Sequence, residues 1–496
     1  MKRNWGRVIS IIALFILALG CRYTTPTPVA WRGTETAAVQ TGTASVPTPT
    51  VFSSPTPLAA PTALPTRTRV PIVSDGPWLV FSSGDGKSYY AADRDSDEVR
   101  QLELPNSVIT ADLPGAVSPD RSVLLARAGD PKVEGDFALY SVAAVNLETL
   151  KLNGLISSSV QKNLANVNNL QAPFAVQAAV APAGIAWNPN GSGALFPMAV
   201  DGDSTNLFRY NPISHKVDRI SSRYQQGFAP QWSPGGQALV FQEADTRDNP
   251  YRWRASLVGS IAFENLERVN YLYSPPNDSL EEVYAGWIND SRLLIYTRAE
   301  TGNHQLRLLN VLGGTPTVLF EGYFDSVSLN HVDGSVALLI KEEAARINKQ
   351  SPGVYLRRSD STKFDQFVLG DYEWLGYDRG LGKFVTNSQI DTTVFDANGI
   401  KLSLVGASRL SASPDGQWLI SWSEAGVNLH TADGKFLQQI TNNTVESLFW
   451  QTDSKGFYLL MSDGLWHSQF PRLEPVKLTE DVWHENGGLF NWLGSD

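Results

Sequence analysis

Six histidines, two short acidic runs and a scatter of tryptophans are the residues of this 496-residue chain whose types could do chemistry. The histidines are His215, His304, His331, His430, His467 and His484. None lies in a His-Glu-x-x-His arrangement, the spacing that puts two imidazoles on one helical face against a zinc ion. Histidines on separate structural units can still converge, and His331 and His467 lie nearest recurring turn positions, so they lead any ligand-facing set. The ordinary expectation for all six is a hydrogen-bonded or solvent-facing loop histidine. Asp93-x-Asp95-x-Asp97 and Asp201-x-Asp203-x-Thr205 place side-chain oxygens at alternate positions, as calcium loops do. Both lack glycine at the sixth position, and the twelfth is Leu104 or Pro212 instead of a bidentate glutamate. Hairpin turns account for them better, and no metal or cofactor is expected.

The single cysteine excludes an intramolecular disulfide framework and any multi-cysteine metal site. Its position is informative. Lys2, Arg3 and Arg7 make a cationic start, Val8–Gly20 is apolar except for Ser10, and Cys21 follows at once. At ~1.5 Å per helical residue, thirteen residues fall short of the ~30 Å core of a bilayer. The segment therefore reads as an export signal over residues 1–20. Leu17-Ala18-Leu19-Gly20-Cys21 resembles a bacterial lipobox, departing from it at Ala18, where leucine is usual. That resemblance implies a lipid on Cys21, and with it a protein held at the outer face of the cytoplasmic membrane, or at an outer membrane where there is one.

Residues 22–72 hold 9 of the 29 prolines and 13 threonines, in Pro-Thr-Pro patterns without apolar periodicity. Such a stretch buries too little to offset its ordering entropy, so residues 21–72 read as a lipidated cysteine and a solvated tether. Residues 73–496 remain for packed structure. A formal charge of −10 argues against nucleic acid as a partner.

One pattern recurs through that region: an aromatic or apolar residue, a turn of Ser/Asn-Pro-Asp/Asn/Gly-Gly type, then a hydrophobic run. It stands at Trp187-Asn188-Pro189-Asn190-Gly191, Trp232-Ser233-Pro234-Gly235-Gly236, Ser413-Pro414-Asp415-Gly416 and Ser118-Pro119-Asp120. Weaker copies begin at Trp287, Val332, Trp374 and Trp450. Proline presets φ, aspartate or asparagine caps the turn, and glycine takes the left-handed position. With a second turn some 15–20 residues on, each unit is two hairpins, and a spacing of mostly 38–55 residues matches a propeller blade. The fold class is thus all-β: a β-propeller of four-stranded antiparallel blades, about eight, within a range of seven to nine. Nine openings are visible, near residues 117, 187, 232, 287, 331, 374, 412, 450 and 492, while Leu150–Ala183 lacks the motif and reads as an excursion. Trp492-Leu493 is a first strand at the chain's end, and the region begins with second, third and fourth strands at Trp78–Phe81, Tyr89-Tyr90 and Val99–Leu102. One blade built from both ends would close the ring and remove its edge strands.

These turns resemble the propeller repeat of the TolB family, also found in the non-catalytic domain of prolyl oligopeptidase-like proteins. The resemblance covers most of residues 76–496 and implies a rigid platform, often for protein partners at the bacterial envelope. No Gly-x-Ser-x-Gly nucleophile elbow occurs, and repeats run to the last residue, so no hydrolase domain and no enzyme is expected. Tryptophans at the shared repeat position read as interblade packing. Trp253, Trp466 and Trp483 fall outside it and, with His331 and His467, form the candidate ligand-face set; the polar, aromatic stretch Asp245–Arg254 is a candidate binding loop. The leading expectation is a lipid-anchored, non-enzymatic binding or assembly platform for an envelope protein. The alternative is a glycan-binding or lyase-like propeller.

Overall fold

The computed structural model describes residues 77–493, apart from 96, 103–111, 130–139, 147–151, 157–183, 202–203, 221–225, 246–251, 260–278, 300–303 and 312–314. Cys21, the signal and the tether lie outside the described residues. The described residues form nine antiparallel sheets, seven of them complete four-stranded blades and two with three strands. Sheet one takes three strands from the start (Trp78–Ser82, Tyr89–Asp93, Val99–Gln101) and one from the end (Phe490–Leu493). Numbered along the chain, the others begin at Val123, Ala186, Gln226, Ser279, Ser326, Trp374, Arg409 and Val445.

The closure inferred from the two ends is present. Phe490–Leu493 pairs antiparallel with Trp78–Phe81, Trp78 opposite Leu493 and Phe81 opposite Phe490. All nine candidate openings mark the first strand of a sheet, Val117 doing so through a single bridge to Leu124. The expectation of an all-β propeller of seven to nine blades therefore holds. Part of the expected excursion is instead regular: Leu152–Ile156 is the third strand of sheet two, paired with Tyr140–Asn146. A third strand carries no first-turn motif, which is why the sequence pattern passes over it. Residues 157–183 lie outside the described residues.

The sheets stack face to face, because strands buried on both faces present apolar side chains to both neighbours. One core runs from Trp78 and Val80 through Leu124 and Ala126 to Phe196 and Tyr210, joining sheets one, two and three. Others join three with four, four with five, five with six, six with seven, eight with nine and nine with one. Sheets seven and eight are tied by polar contacts, including Asn387 Nδ2 to Ser408 O at 2.6 Å and Ala412 N to Asp378 Oδ2 at 3.3 Å.

The repeat tryptophans act between sheets. The indole N–H of Trp187 donates to Ala116 O at 3.0 Å, that of Trp232 to Ala186 O at 3.0 Å and that of Trp287 to Gln231 O at 3.3 Å, the last two reaching back to the preceding sheet's first strand and the first to the short helix Leu113–Ala116 ahead of sheet two. The turns repeat equally closely. Ser118 Oγ donates to Asp120 Oδ1 and accepts from Val123 N, while Ser413 Oγ donates to Asp415 Oδ1 and accepts from Trp418 N. Burial pushes both carboxyls up, and the serine bonds together with the backbone N–H bonds of the turn outweigh it and hold them below the usual range.

Candidate functional site at the closing seam

Ring closure sets the turn after Tyr89–Asp93, which carries the acidic run, against the last strands of the chain. Arg94 O accepts two side-chain amides from sheet nine, Gln451 Nε2 at 3.0 Å and Gln469 Nε2 at 2.8 Å, and Asp93 O accepts from Tyr458 Oη at 3.2 Å. The Arg94 guanidinium lies 3.7 Å from the Asp453 carboxylate. In the middle stands His467, 4 % exposed, its ring stacked on Tyr458 with centroids 4.6 Å apart and planes 16° from parallel.

Proton positions in this cluster follow from its bonding. Gln451 Nε2 lies 2.9 Å from His467 Nε2. An amide nitrogen has no free lone pair and must donate, and the Arg94 carbonyl fixes which end of the amide is nitrogen. His467 Nε2 is therefore the acceptor and Nδ1 carries the proton, 4.0 Å from Asp97 Oδ1. Burial pushes the imidazole below its ordinary pKa, against the upward pull of Asp97, Asp95 and Asp93. Burial likewise drives the Tyr458 phenol well above its ordinary value. Both side chains are thus neutral at physiological pH, and the cluster can hold a seam without a net charge buried in it. Only glycine fits behind Gln451, since a Cβ at Gly456 would stand 2.7 Å from the backbone Ser468 O as well as from Gln451 Oε1.

Of the expected ligand-face set, the structure gathers His467, Trp466 and Trp483 at this junction without forming one pocket from them. Trp466 neighbours His467 on the same strand and so points to the opposite face. Its Nε1 donates to Asp463 Oδ1 at 2.9 Å, and Lys477 Nζ sits 5.8 Å over its ring. Trp483 is at the other end of the seam, its backbone N bonded to Ser82 O at 3.0 Å and its ring beside Gly86. There Asp481 accepts from Gly84 N at 2.8 Å and Tyr90 Oη at 2.9 Å. His331 is exposed on the first turn of sheet six, edge-on to Tyr377. Trp253 belongs to the strand Arg252–Gly259, with its side chain outside the described set, and residues 246–251 of the candidate loop are likewise outside it. Among the described residues no group of three His, Cys, Asp or Glu side chains could hold a metal ion.

Two further polar centres escaped the sequence reading. Asp112 and Arg127 form a two-pronged pair at 2.5 and 2.6 Å with both side chains fully buried, and Gly184 N adds a bond to the carboxylate at 3.2 Å. Fifteen residues apart, they give no sequence signal as partners. The second is Ser421 Oγ against His430 Nε2 at 2.8 Å. Both residues are buried and no carboxylate orients Nδ1 among the described residues, so the pair lacks the access and the third member that a nucleophilic serine needs.

With this geometry in view, likenesses to known proteins can be weighed. No family model matches the chain. A relative, the Tricorn protease homolog of Saccharolobus solfataricus, is 24 % identical over 241 residues, which make up 46 % of this chain and 21 % of the relative. The match thus spans about a fifth of that protein's length. A solved structure of a eukaryotic initiation factor superposes with a TM-score of 0.53 at 11 % identity, covering 84 % of this chain and 98 % of its own. TolB from Acinetobacter baumannii aligns with a TM-score of 0.29 at 14 % identity, covering 58 % of this chain and 61 % of its own.

The expectation that the chain is not an enzyme is corrected by the match to a protease homolog. That expectation leaned on a missing Gly-x-Ser-x-Gly pentapeptide, but catalytic groups converge in space from separate positions, and one absent linear motif excludes only one kind of nucleophile. The topology, with the superposition on the initiation-factor structure, establishes the fold: a β-propeller closed by its first and last described strands.

Proposed function

We propose that this protein is the polypeptide-binding propeller of a proteolytic system, exported and held at a membrane surface through a lipid on Cys21. The observation that carries the reading is the 241-residue similarity to a protease homolog, in a chain whose described residues are built almost wholly of propeller. A ring stiffened by apolar cores and by indole-to-carbonyl bonds between sheets holds its loops in fixed relation, as recognition of an extended chain requires. Glycan binding draws no comparable support, because Lys477 covers the Trp466 ring and the Gly86 turn packs on Trp483.

The test is to incubate the full-length protein, purified in detergent, with a peptide digest of a whole proteome, and to follow retained and newly cleaved peptides by mass spectrometry. Retention or cleavage with a reproducible sequence preference is the expected result. A digest recovered unchanged and unbound would end the proposal.

A further inference from the structure

We propose that the seam between sheets five and six binds a phosphate-type oxyanion through Arg357 and Arg292. The inference is independent of the proteolytic reading. It begins with an arginine whose Nε finds no hydrogen-bond acceptor among the described residues. Arg357 ends the strand Gly353–Arg357 and is 6 % exposed. Its Nε is buried without a hydrogen-bond partner among the described residues. Guanidinium does not lose its proton in proteins, so the charge stays. The buried Arg127 shows the usual remedy, a carboxylate at 2.5 Å.

Strand alternation places a second guanidinium opposite. Leu294 and Leu306 of sheet five and Tyr355 of sheet six share one buried cluster. Arg292 stands two residues before Leu294 and Arg357 two after Tyr355, so both side chains face the same seam. They also share one end of it. The strand Arg292–Ala299 starts there, and Arg357 pairs with Val336, the first residue after the turn of sheet six. The two sheets meet at that end: a Cβ on Gly334 would stand 3.3 Å from Ile288 Cγ2 and 3.8 Å from Ser359 Cβ. Burial weakens the hold of Arg357 on its proton and the charge of Arg292 weakens it further, while the exposed Asp360 opposes both.

An anion between these two like charges would relieve their repulsion and give the buried Arg357 Nε the acceptor it lacks among the described residues. A guanidinium offers a planar fork of donors that matches oxyanions in pairs, and two forks suit a tetrahedral dianion better than a single carboxylate. Arg292 is exposed, so the anion is reached from the turn end of the ring, either as free phosphate or as a phosphoryl group on a larger molecule.

Calorimetric titration of the full-length chain with inorganic phosphate and with glycerol phosphate, against sodium chloride at matched ionic strength, tests the site. Saturable binding of phosphate with a rise in melting temperature is expected. Inorganic phosphate binding alone identifies a free-ion site; glycerol phosphate binding as tightly identifies a phosphoryl-ester site. Arg357→Met should weaken binding by about tenfold or more while leaving the phosphate-free melting temperature unchanged or higher, since it removes a buried unpaired charge. Arg292→Gln, at an exposed position, should weaken binding with the fold intact, and it decides the matter if Arg357→Met does not fold. Wild-type protein that shows no saturable heat beyond chloride, or binding unaltered in the folded variants, would overturn the proposal.

Discussion

Gln451 donates its side-chain amide to the backbone carbonyl of Arg94 across 357 residues of sequence. The bond joins the last sheet to a turn of the sheet that combines the first and last described strands. The same amide nitrogen bonds His467, so one side chain both fastens the ring and sets the tautomer of the buried imidazole.

Gln451→Leu should therefore loosen the ring. It removes both amide bonds and leaves His467 Nε2 without its donor, while Gln469 still reaches the Arg94 carbonyl. A loss of about 1–3 kcal/mol is expected, measured by urea unfolding. Equal midpoints for variant and wild type would show that the seam does not depend on this clasp.

The buried pair of Asp112 and Arg127 makes an asymmetric prediction. Asp112→Ala strands a charge with no solvent access and should cost about 3–5 kcal/mol, whereas Asp112→Leu with Arg127→Met should cost far less or nothing. A double variant as unstable as the single one would mean that the pair contributes more than mutual neutralisation.

Stability should fall as the solution is acidified from neutrality. Burial holds the imidazoles of His304, His430 and His467 below their ordinary value. In the unfolded chain they titrate near 6.5 (roughly), so below that pH the unfolded state takes up protons that the folded state refuses. Their contribution is whole above that value and is lost as pH drops toward the depressed folded values. Urea midpoints should decline between about pH 7 and pH 5, with a shallower decline in His467→Gln. Midpoints that stay level or rise over this interval would contradict the assignment.

Two glycines separate conformational strain from crowding. Gly416 has φ +69° and a Cβ there would meet Gly380 O at 3.0 Å; Gly406 has φ +79° with open space around it. Gly406→Ala should cost about 1–2 kcal/mol, the left-handed penalty alone, and Gly416→Ala more. Thermal melts of the two side by side measure the difference, and a larger loss at Gly406 would refute the argument.

Cys21→Ser should move the protein from the membrane fraction to the soluble fraction of its host on cell fractionation. A membrane-bound variant would refute the lipid-anchor proposal.

How far the fold was legible depends on the range of the interactions involved. Each first turn is a local device: serine, aspartate and glycine within four residues bond one another, so their identities specify the turn before any other sheet is in place. Repetition of that device predicted the sheets, and the tryptophan preceding several turns predicted packing between them. The incomplete repeat at Phe490–Leu493 and the headless one at Trp78 predicted closure, because unpaired edges must find partners. The strand Leu152–Ile156 was missed because a third strand has no such local mark.

The candidate site belongs to the other kind of information. Nothing near His467 in sequence indicates Asp97 or Arg94 as its surroundings, and nothing near Arg357 indicates that Arg292 faces it across the seam. Asp112 finds Arg127 only because the sheets stack as they do. Sequence alone determined the repeating turns, the alternation that makes sheets and the join between the two ends, since each is encoded by neighbours in the chain. Tertiary structure decided which polar side chains meet, which are desolvated and which like charges face each other, since those depend on how one sheet is stacked and registered against the next.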